Sequence, residues 1–262
     1  MSFRASKCAV LDVPFVKKDN YIIDGVNIPH LSTKEGYLYL GCFVTRLITY
    51  TPQQLFDEVI REVEIIYSSS LSANQKLHAY KFFEHSKFIF YFRNTFIPFY
   101  IFEMASCAWD IQLRSFHKKI LGLQDNASTP YLYCPKAFGG VGITSLKDEY
   151  YVQSITHSFY LLNSTDPNII AANDATLRRP LGDMNITHSQ VFDWLNDGFR
   201  AHVNTSWWNK TQHAIHDLQK YHKIIVNFKY SNPGVILTIK QQLQNENHKF
   251  ITNEISKLKD KD

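Results

Sequence analysis

Thr51-Pro52-Gln53-Gln54-Leu55-Phe56-Asp57-Glu58-Val59-Ile60-Arg61-Glu62-Val63-Glu64-Ile65-Ile66 is the stretch that decides the fold. Leu55, Val59, Val63 and Ile66 recur at three- and four-residue steps, while Asp57, Glu58, Glu62 and Glu64 fall on other faces. That spacing predicts an amphipathic helix. Thr51 suits an N-cap, and Pro52 suits the first helical position, where a missing N–H costs nothing. Upstream the pattern is different. Cys8 to Val16 is a short apolar run, Lys17-Lys18-Asp19-Asn20 a turn, and Tyr21 to Leu31 a segment punctuated by Gly25 and Pro29. Tyr37 to Val44, rich in aromatic and β-branched residues, reads as the best single strand.

Downstream of the switch the helical signals continue. Ser68-Ser69-Ser70 closes the first helix, and Ser72 opens a second that carries Leu77, Tyr80 and Phe83 toward Phe92. A third is predicted from about Phe99 to Leu121, with Lys118 and Lys119 in its last turn and Gly122 at its end. Gln124 to Gly142 reads as irregular, and a helix from about Leu146 to Leu162 follows. Shorter helices are expected around Val191–Arg200 and Trp207–His222, a β-leaning piece over Ile224–Tyr230, and a polar, frayed helix from Asn245 to the end. The expected fold class is α+β, mostly α. A β-rich piece occupies residues 1–50, a helical bundle 51–165, and a helical connector with a polar tail 166–262.

Composition agrees with a globular chain. Of 262 residues, 45% are hydrophobic and only 20% charged, so a core is attainable and general disorder is excluded. Cys8, Cys42, Cys107 and Cys134 are scattered, without a Cys-x-x-Cys pair, which argues against a cysteine-based zinc ribbon, finger or knuckle. No signal peptide is expected at the N-terminus. The apolar stretch Phe88–Phe102 is broken by Arg93 and Pro98 and is too short to span a bilayer. The chain is therefore expected to be soluble and intracellular, with no membrane partner.

Familiar catalytic signatures are absent. The sequence holds no G-x-G-x-x-G, G-x-x-x-x-G-K-[ST], G-x-S-x-G or H-E-x-x-H. Gly139-Gly140-Val141-Gly142 is glycine-dense but lacks Rossmann spacing, and a tight structural turn is its simpler meaning. His213 and His216 stand three apart beside Asp217, a pattern that chance produces readily on a solvated face. The aromatic run from Phe82 to Tyr100 suits either a bundle core or a base-stacking surface. No catalytic residue and no metal ligand is assigned. Residues 72–120 carry seven cations against three carboxylates, a surplus of four equal to that of the whole chain. Arg114 and Lys118, four apart, share a helical face.

Four segments, in order, resemble the end of a reverse transcriptase from a non-LTR retrotransposon of the site-specific, ribosomal-DNA-inserting type. Phe3-Arg4-Ala5-Ser6-Lys7-Cys8-Ala9-Val10-Leu11 is similar to the strand that follows the catalytic palm strands. Tyr37-Leu38-Tyr39-Leu40-Gly41 resembles the primer-grip turn, with Leu38 in place of its usual lysine. Ser72-Ala73-Asn74-Gln75-Lys76-Leu77 resembles the start of a thumb helix. Pro135-Lys136-Ala137-Phe138-Gly139-Gly140-Val141-Gly142-Ile143 resembles the turn that closes the thumb. The likeness spans residues 3 to 146 and fades beyond about 165.

The resemblance implies a palm edge plus thumb, truncated before Phe3, whose fingers and most of whose palm are expected elsewhere. The family's catalytic Asp pair is missing, since the sequence contains no Asp-Asp. Polymerase chemistry by two metal ions needs such carboxylates, so the chain is expected to be inactive alone and to need no cofactor. Mg²⁺ belongs only to the complete polymerase. Tyr37, Tyr39, Leu40 and Gly41 are then primer-grip-like residues. Lys76, Lys81, Arg114, Lys118 and Lys119 are candidate phosphate contacts, and Gly139, Gly140 and Gly142 form a structural turn. The implied partners are an RNA–DNA hybrid or duplex RNA, bound weakly and without sequence preference, and the missing palm portion. The implied location is the nucleus. The alternative is a helical protein-interaction or recruited domain with no polymerase role.

Overall fold

The computed structural model describes residues 10–11, 21–23, 25–31, 37–39, 42–44, 53–95, 97, 99–181, 191, 195, 207–226, 239–243 and 245. Over these the protein is α+β and mostly α. Expectations placed on residues 3–9, the turn at 17–20, Leu40, Gly41, Thr51, Pro52, most of the helix at 191–200, residues 227–230 and the tail beyond 245 lie outside the described residues.

The β-rich piece consists of short pairs. β1 (Val10–Leu11) runs parallel to β4 (His30–Leu31), and β2 (Ile22–Ile23) pairs antiparallel with β3 (Val26–Asn27). Tyr37 to Val44 is not one strand. β5 (Tyr37–Tyr39) turns back on β6 (Cys42–Val44), with Tyr37 opposite Val44 and Tyr39 opposite Cys42. The strand propensity is legible in the sequence; the reversal inside it is hidden by β-forming residues on both sides of the turn.

The helices follow the sequence pattern closely. α1 spans Gln53–Ser68, α2 Ala73–Ala79, α3 His85–Asn94 and α4 Phe99–Ile120. Ser72 caps α2 with a capping box: its hydroxyl accepts from the Gln75 N–H, and the Gln75 side chain accepts from the Ser72 N–H at 3.0 Å. A single π turn, Tyr80–Glu84, joins α2 to α3, so that residues 73–94 form one rod with an extra residue wound into it. At the end of α4 the N–H groups of Leu123 and Gly122 return to the carbonyls of Lys118 and Lys119, and Gly122 takes φ +65°. This is a Schellman cap, and it explains the glycine. The stretch read as irregular holds a short α5 (Thr129–Tyr133) and a 3₁₀ turn, Lys136–Phe138. α6 spans Leu146–Leu162, α7 Pro167–Leu181 and α8 Trp207–His222. α7 has no counterpart in the sequence reading, because Asn168, Asn173, Asp174, Arg178 and Arg179 interrupt its apolar positions.

The core is aromatic. Phe56 of α1 stacks on Trp109 of α4 at 4.9 Å, and Phe102 of α4 stacks on Tyr150 of α6 at 3.8 Å. Phe92 of α3 sets its edge against both Phe102 and Tyr150. Most of the aromatic run therefore serves packing, which favours edge-to-face and offset pairs. α6 is central: it packs against α3, α4, α7 and α8 and is buried on nearly every side. Trp208, Ala214, Ile215 and Leu218 of α8 enter the same core, so residues expected in a connector contribute to the bundle.

A helix buried on all sides cannot hand its first N–H groups to water. Here each has a protein acceptor. The Asp110 carboxylate, reaching across from α4, accepts from the N–H of Leu146 at 2.8 Å and of Lys147 at 3.3 Å. The Ser145 hydroxyl accepts from Asp148 N–H at 3.0 Å, and the Ser145 carbonyl from Glu149 N–H at 2.9 Å. Asp110→Ala is expected to cost about 3 kcal/mol by stranding two buried donors, and Asp110→Asn clearly less. Thermal denaturation of the two variants checks the order; equal losses would remove the cap as the cause.

Candidate nucleic-acid interface

The five candidate phosphate contacts do not form one stripe. Lys76, on α2, donates its Nζ to the Tyr67 carbonyl at 2.8 Å, which satisfies the last turn of α1. An ammonium has three donors, so two remain for a ligand. Lys119 is exposed in the last turn of α4. These two line a cleft of about 640 Å³ between the ends of α1 and α4 and the start of α2, with Glu64, Tyr67 and Phe116 as walls. The Tyr67 hydroxyl and Nδ1 of His117 share a hydrogen bond at 2.6 Å, and the Tyr67 ring meets Phe116 edge-on at 6.4 Å, so the wall is held in place.

The other three face elsewhere. Lys81, half-buried, donates to the Val141 carbonyl at 2.8 Å, and burial together with the Lys136 charge brings its ammonium down to about 8. The Arg114 Nε–H donates to the Asp110 carbonyl at 3.0 Å. Lys118 is buried and donates to the Asp125 carbonyl at 2.6 Å. Arg114 and Lys118 do share a face, as their spacing predicts, but Lys118 on that face is turned inward. Tyr67, Phe116 and Glu64 are not assigned by sequence reasoning. They come from two helices fifty residues apart, and no local pattern marks them.

The glycine turn is built for packing. Every amide from Phe138 to Ile143 is donated within the segment, to the carbonyls of Pro135, Lys136, Tyr131, Cys134 and Leu132. None is left to cradle a phosphate. A Cβ on Gly140 would sit 2.2 Å from the Cys134 carbonyl oxygen, which no side chain tolerates. Of the primer-grip-like residues, Tyr37 and Tyr39 lie in β5, and Leu40 and Gly41 fall between the described strands.

The histidines near the chain's end are engaged separately. The His213 ring stacks on Phe99 at 5.0 Å, His216 lies 3.3 Å from Asp217, and His222 3.5 Å from Asp148. Among the described residues no group of three or more His, Cys, Asp or Glu side chains converges as a metal site, and no helix is long and apolar enough to cross a membrane.

Around α6 lies a buried polar network that sequence reasoning does not reach. Glu149, 0% exposed, accepts from Gln153 Nε2 at 2.6 Å and Lys240 Nζ at 3.0 Å, and lies 3.3 Å from His85 Nε2. Burial alone would raise its carboxyl; His85, Lys240 and Gln153 together hold it down at about 2. Arg93 donates to the Gln153 oxygen from both Nε, at 3.1 Å, and a terminal nitrogen, at 2.8 Å. Lys210, 1% exposed, lies over the rings of Tyr150 and Trp207 at 4.4 and 4.2 Å, and burial holds its ammonium well below the usual lysine range. His117 is held neutral too: burial, with the charges of His85 and Lys81, lowers it to about 3.

Comparison of the chain with protein-family models, with curated proteins and with solved structures finds no match.

Two outcomes follow from this geometry. Gly140→Ala is expected to cost more than about 3 kcal/mol, because a backbone carbonyl has to move; a melting temperature within a degree of wild type would contradict the close approach. His117 binds fewer protons folded than unfolded between pH 6.5 and about 3. Its share of stability is therefore lost as pH falls through that window. His117→Phe strands the Tyr67 hydroxyl and lowers the melting temperature at pH 7. The gap to wild type should narrow by pH 4.5, and a gap that widens would contradict a neutral buried imidazole.

Proposed function

We propose that this chain is the template–primer clamp of an RNA-directed DNA polymerase of the non-LTR retrotransposon type: a palm edge and thumb that hold nucleic acid and carry out no chemistry themselves. The observation that carries this is the cleft lined by Lys76 and Lys119, two cations against the single carboxylate of Glu64. Two cations on adjacent helix ends suit two phosphates of an A-form backbone, which is read by shape and charge rather than by base edges. The bond from Lys81 to the Val141 carbonyl supports the same conclusion. It ties the rod that opens at Ser72 to the turn at 135–143, joining two of the thumb-like segments into one rigid unit.

The division of labour follows from the residues. Nucleotide transfer to a primer end needs carboxylates that hold two metal ions, and no Asp-Asp pair occurs in these residues. Mg²⁺ and the catalytic carboxylates would come from the palm, the partner this clamp requires, and the complete enzyme would act on chromosomal DNA in the nucleus. A helical interaction module without a polymerase role is the second reading. It draws on Met104 and Ile111, which are exposed seven residues apart on one face of α4.

Binding measured by fluorescence anisotropy against salt concentration tests the proposal. Two phosphate contacts give a log–log slope of roughly −2 for hybrid or duplex RNA, alike for all sequences. Lys76→Gln with Lys119→Gln is expected to flatten that slope toward zero. Arg114→Gln with Lys118→Gln is expected instead to lower the melting temperature and leave the slope nearly intact. Undetectable binding at low salt would favour the interaction module, and an unchanged slope in the cleft variant would remove the cleft. These 262 residues should give no primer extension with Mg²⁺ or Mn²⁺; extension above a heat-killed blank would overturn the assignment.

A further inference from the structure

The cleft holds one group that two phosphates do not explain. Beside the ammoniums of Lys76 and Lys119 its lining includes the carboxylate of Glu64. Three helices supply that lining, each from one face. Tyr67 and Ser68 stand three and four residues after Glu64 on α1, Lys119 and Ile120 three and four after Phe116 on α4, and Lys76 three after Ala73 on α2. Opposite charges in one cleft attract. Yet among the described residues neither the Glu64 carboxylate nor the Lys119 ammonium forms a hydrogen bond or an ion pair, although both are exposed. Local structure does not account for Glu64 either. It lies about a turn from the C-terminal end of α1, where the helix dipole disfavours an anion. Ser68, four residues on, gives its hydroxyl proton to the Ile65 carbonyl at 3.1 Å, so its oxygen is left as an acceptor too. The α1 wall of the cleft therefore offers acceptors and no donor from these two side chains.

The chemistry of a nucleic-acid backbone limits what such a wall can meet. A carboxylate only accepts hydrogen bonds, and so do phosphate oxygens. Glu64 therefore repels the groups that Lys76 and Lys119 attract. Between successive phosphates lies the sugar. Deoxyribose within a strand has no donor to offer. Ribose has one, the 2′-hydroxyl, and A-form geometry displays it in a wide, shallow groove. Dinucleotide-binding folds use the same pairing, an acidic side chain on a ribose hydroxyl. The guanine amino group is the other donor in that groove, but reading it would make binding depend on sequence.

We propose that Glu64 accepts a hydrogen bond from a ribose 2′-hydroxyl lying between the phosphates held by Lys76 and Lys119, so that the cleft takes an RNA strand in preference to a DNA strand. This rests on the clamp function proposed above and adds to it the choice between the two kinds of strand. The lysines supply an attraction that every backbone shares. The carboxylate makes that attraction conditional, because its repulsion of phosphate is offset only where a 2′-hydroxyl stands in front of it. The contact is indifferent to base identity, as a clamp requires.

The experiment measures binding of two duplexes by fluorescence anisotropy at low salt, on the wild-type chain and on Glu64→Ala and Glu64→Gln. One is duplex RNA made only of A·U pairs, which has no guanine amino group. The other is the same duplex with fluorine in place of every 2′-hydroxyl, which keeps the A-form shape and the phosphates and loses the donor. The wild-type chain is expected to bind the hydroxyl duplex about tenfold more tightly, the effect of one hydrogen bond to a charged group. In Glu64→Ala the ratio should fall to near one, with the fluoro duplex bound more tightly than by the wild type, because the repulsion is gone. Glu64→Gln keeps an accepting oxygen without the charge and should retain part of the ratio. Equal affinity of the wild type for the two duplexes, or a ratio that survives in Glu64→Ala, overturns the 2′-hydroxyl contact and leaves the clamp standing. A ratio that depends on Glu64 but persists in Lys76→Gln with Lys119→Gln removes the phosphate clamp and leaves the hydroxyl contact. No binding of either duplex overturns both.

Discussion

One carboxylate does more than any other group to make this architecture possible. α6 touches four other helices, so it has no wet side on which to leave its first amides. Asp110 of α4 takes two of them, and Ser145 takes the next two. Burial raises the Asp110 carboxyl to about 6 against the pull of those same amides. The charge is held at a cost, because stranding two buried donors would cost more. The cap also sets where α6 starts against α4, and so where Tyr150 meets Phe102.

A central helix buried all round also draws polar groups inward. α6 carries Asp148, Glu149, Gln153, Ser154, Thr156 and Ser158, all buried. Three of these meet the rule that buried polar groups find partners by turning back on their own helix or onto α8. The Ser154 and Thr156 hydroxyls donate to carbonyls four residues back, and the Ser158 hydroxyl bonds that of Thr211. Glu149 instead gathers His85 of α3 and Lys240, close to the end of the described chain. Removing one member of such a set leaves the others charged and dry, so the network specifies one arrangement of α3, α6 and the C-terminal segment.

Most of the helices are legible because they carry an apolar stripe or a clear start and stop. Ser72 with Gln75, Gly122 after Lys119, and Ser145 before Leu146 are local signals, and each does in the structure what its residue type does in general. The antiparallel pair of β5 and β6 reads as one strand because both arms favour β structure. α7 escapes the sequence because polar residues dilute its stripe. The cleft is half legible: Lys76 and Lys119 stand out as cations, but Tyr67 and Phe116 become walls only once α1 and α4 lie side by side. Nothing local marks Asp110 as the cap of a helix thirty-six residues away.

Charge counted along a sequence differs from charge available to a ligand, and here the difference is large. Of the seven cations between residues 72 and 120, Lys87 pairs with Glu62 and lies against Glu84, and Arg93 holds Gln153. Lys81, Arg114 and Lys118 cover backbone carbonyls, an interaction that relieves helix ends and loops without neutralising the charge. Their positive field persists, but Lys118 is buried and none of the three lines the cleft. Lys76 and Lys119 combine charge, spare donors and an open cleft. A duplex meeting this surface therefore feels a broad attraction and makes few fixed contacts. That combination gives weak, salt-sensitive, sequence-blind binding, the behaviour a clamp needs if the nucleic acid is to slide through it between additions.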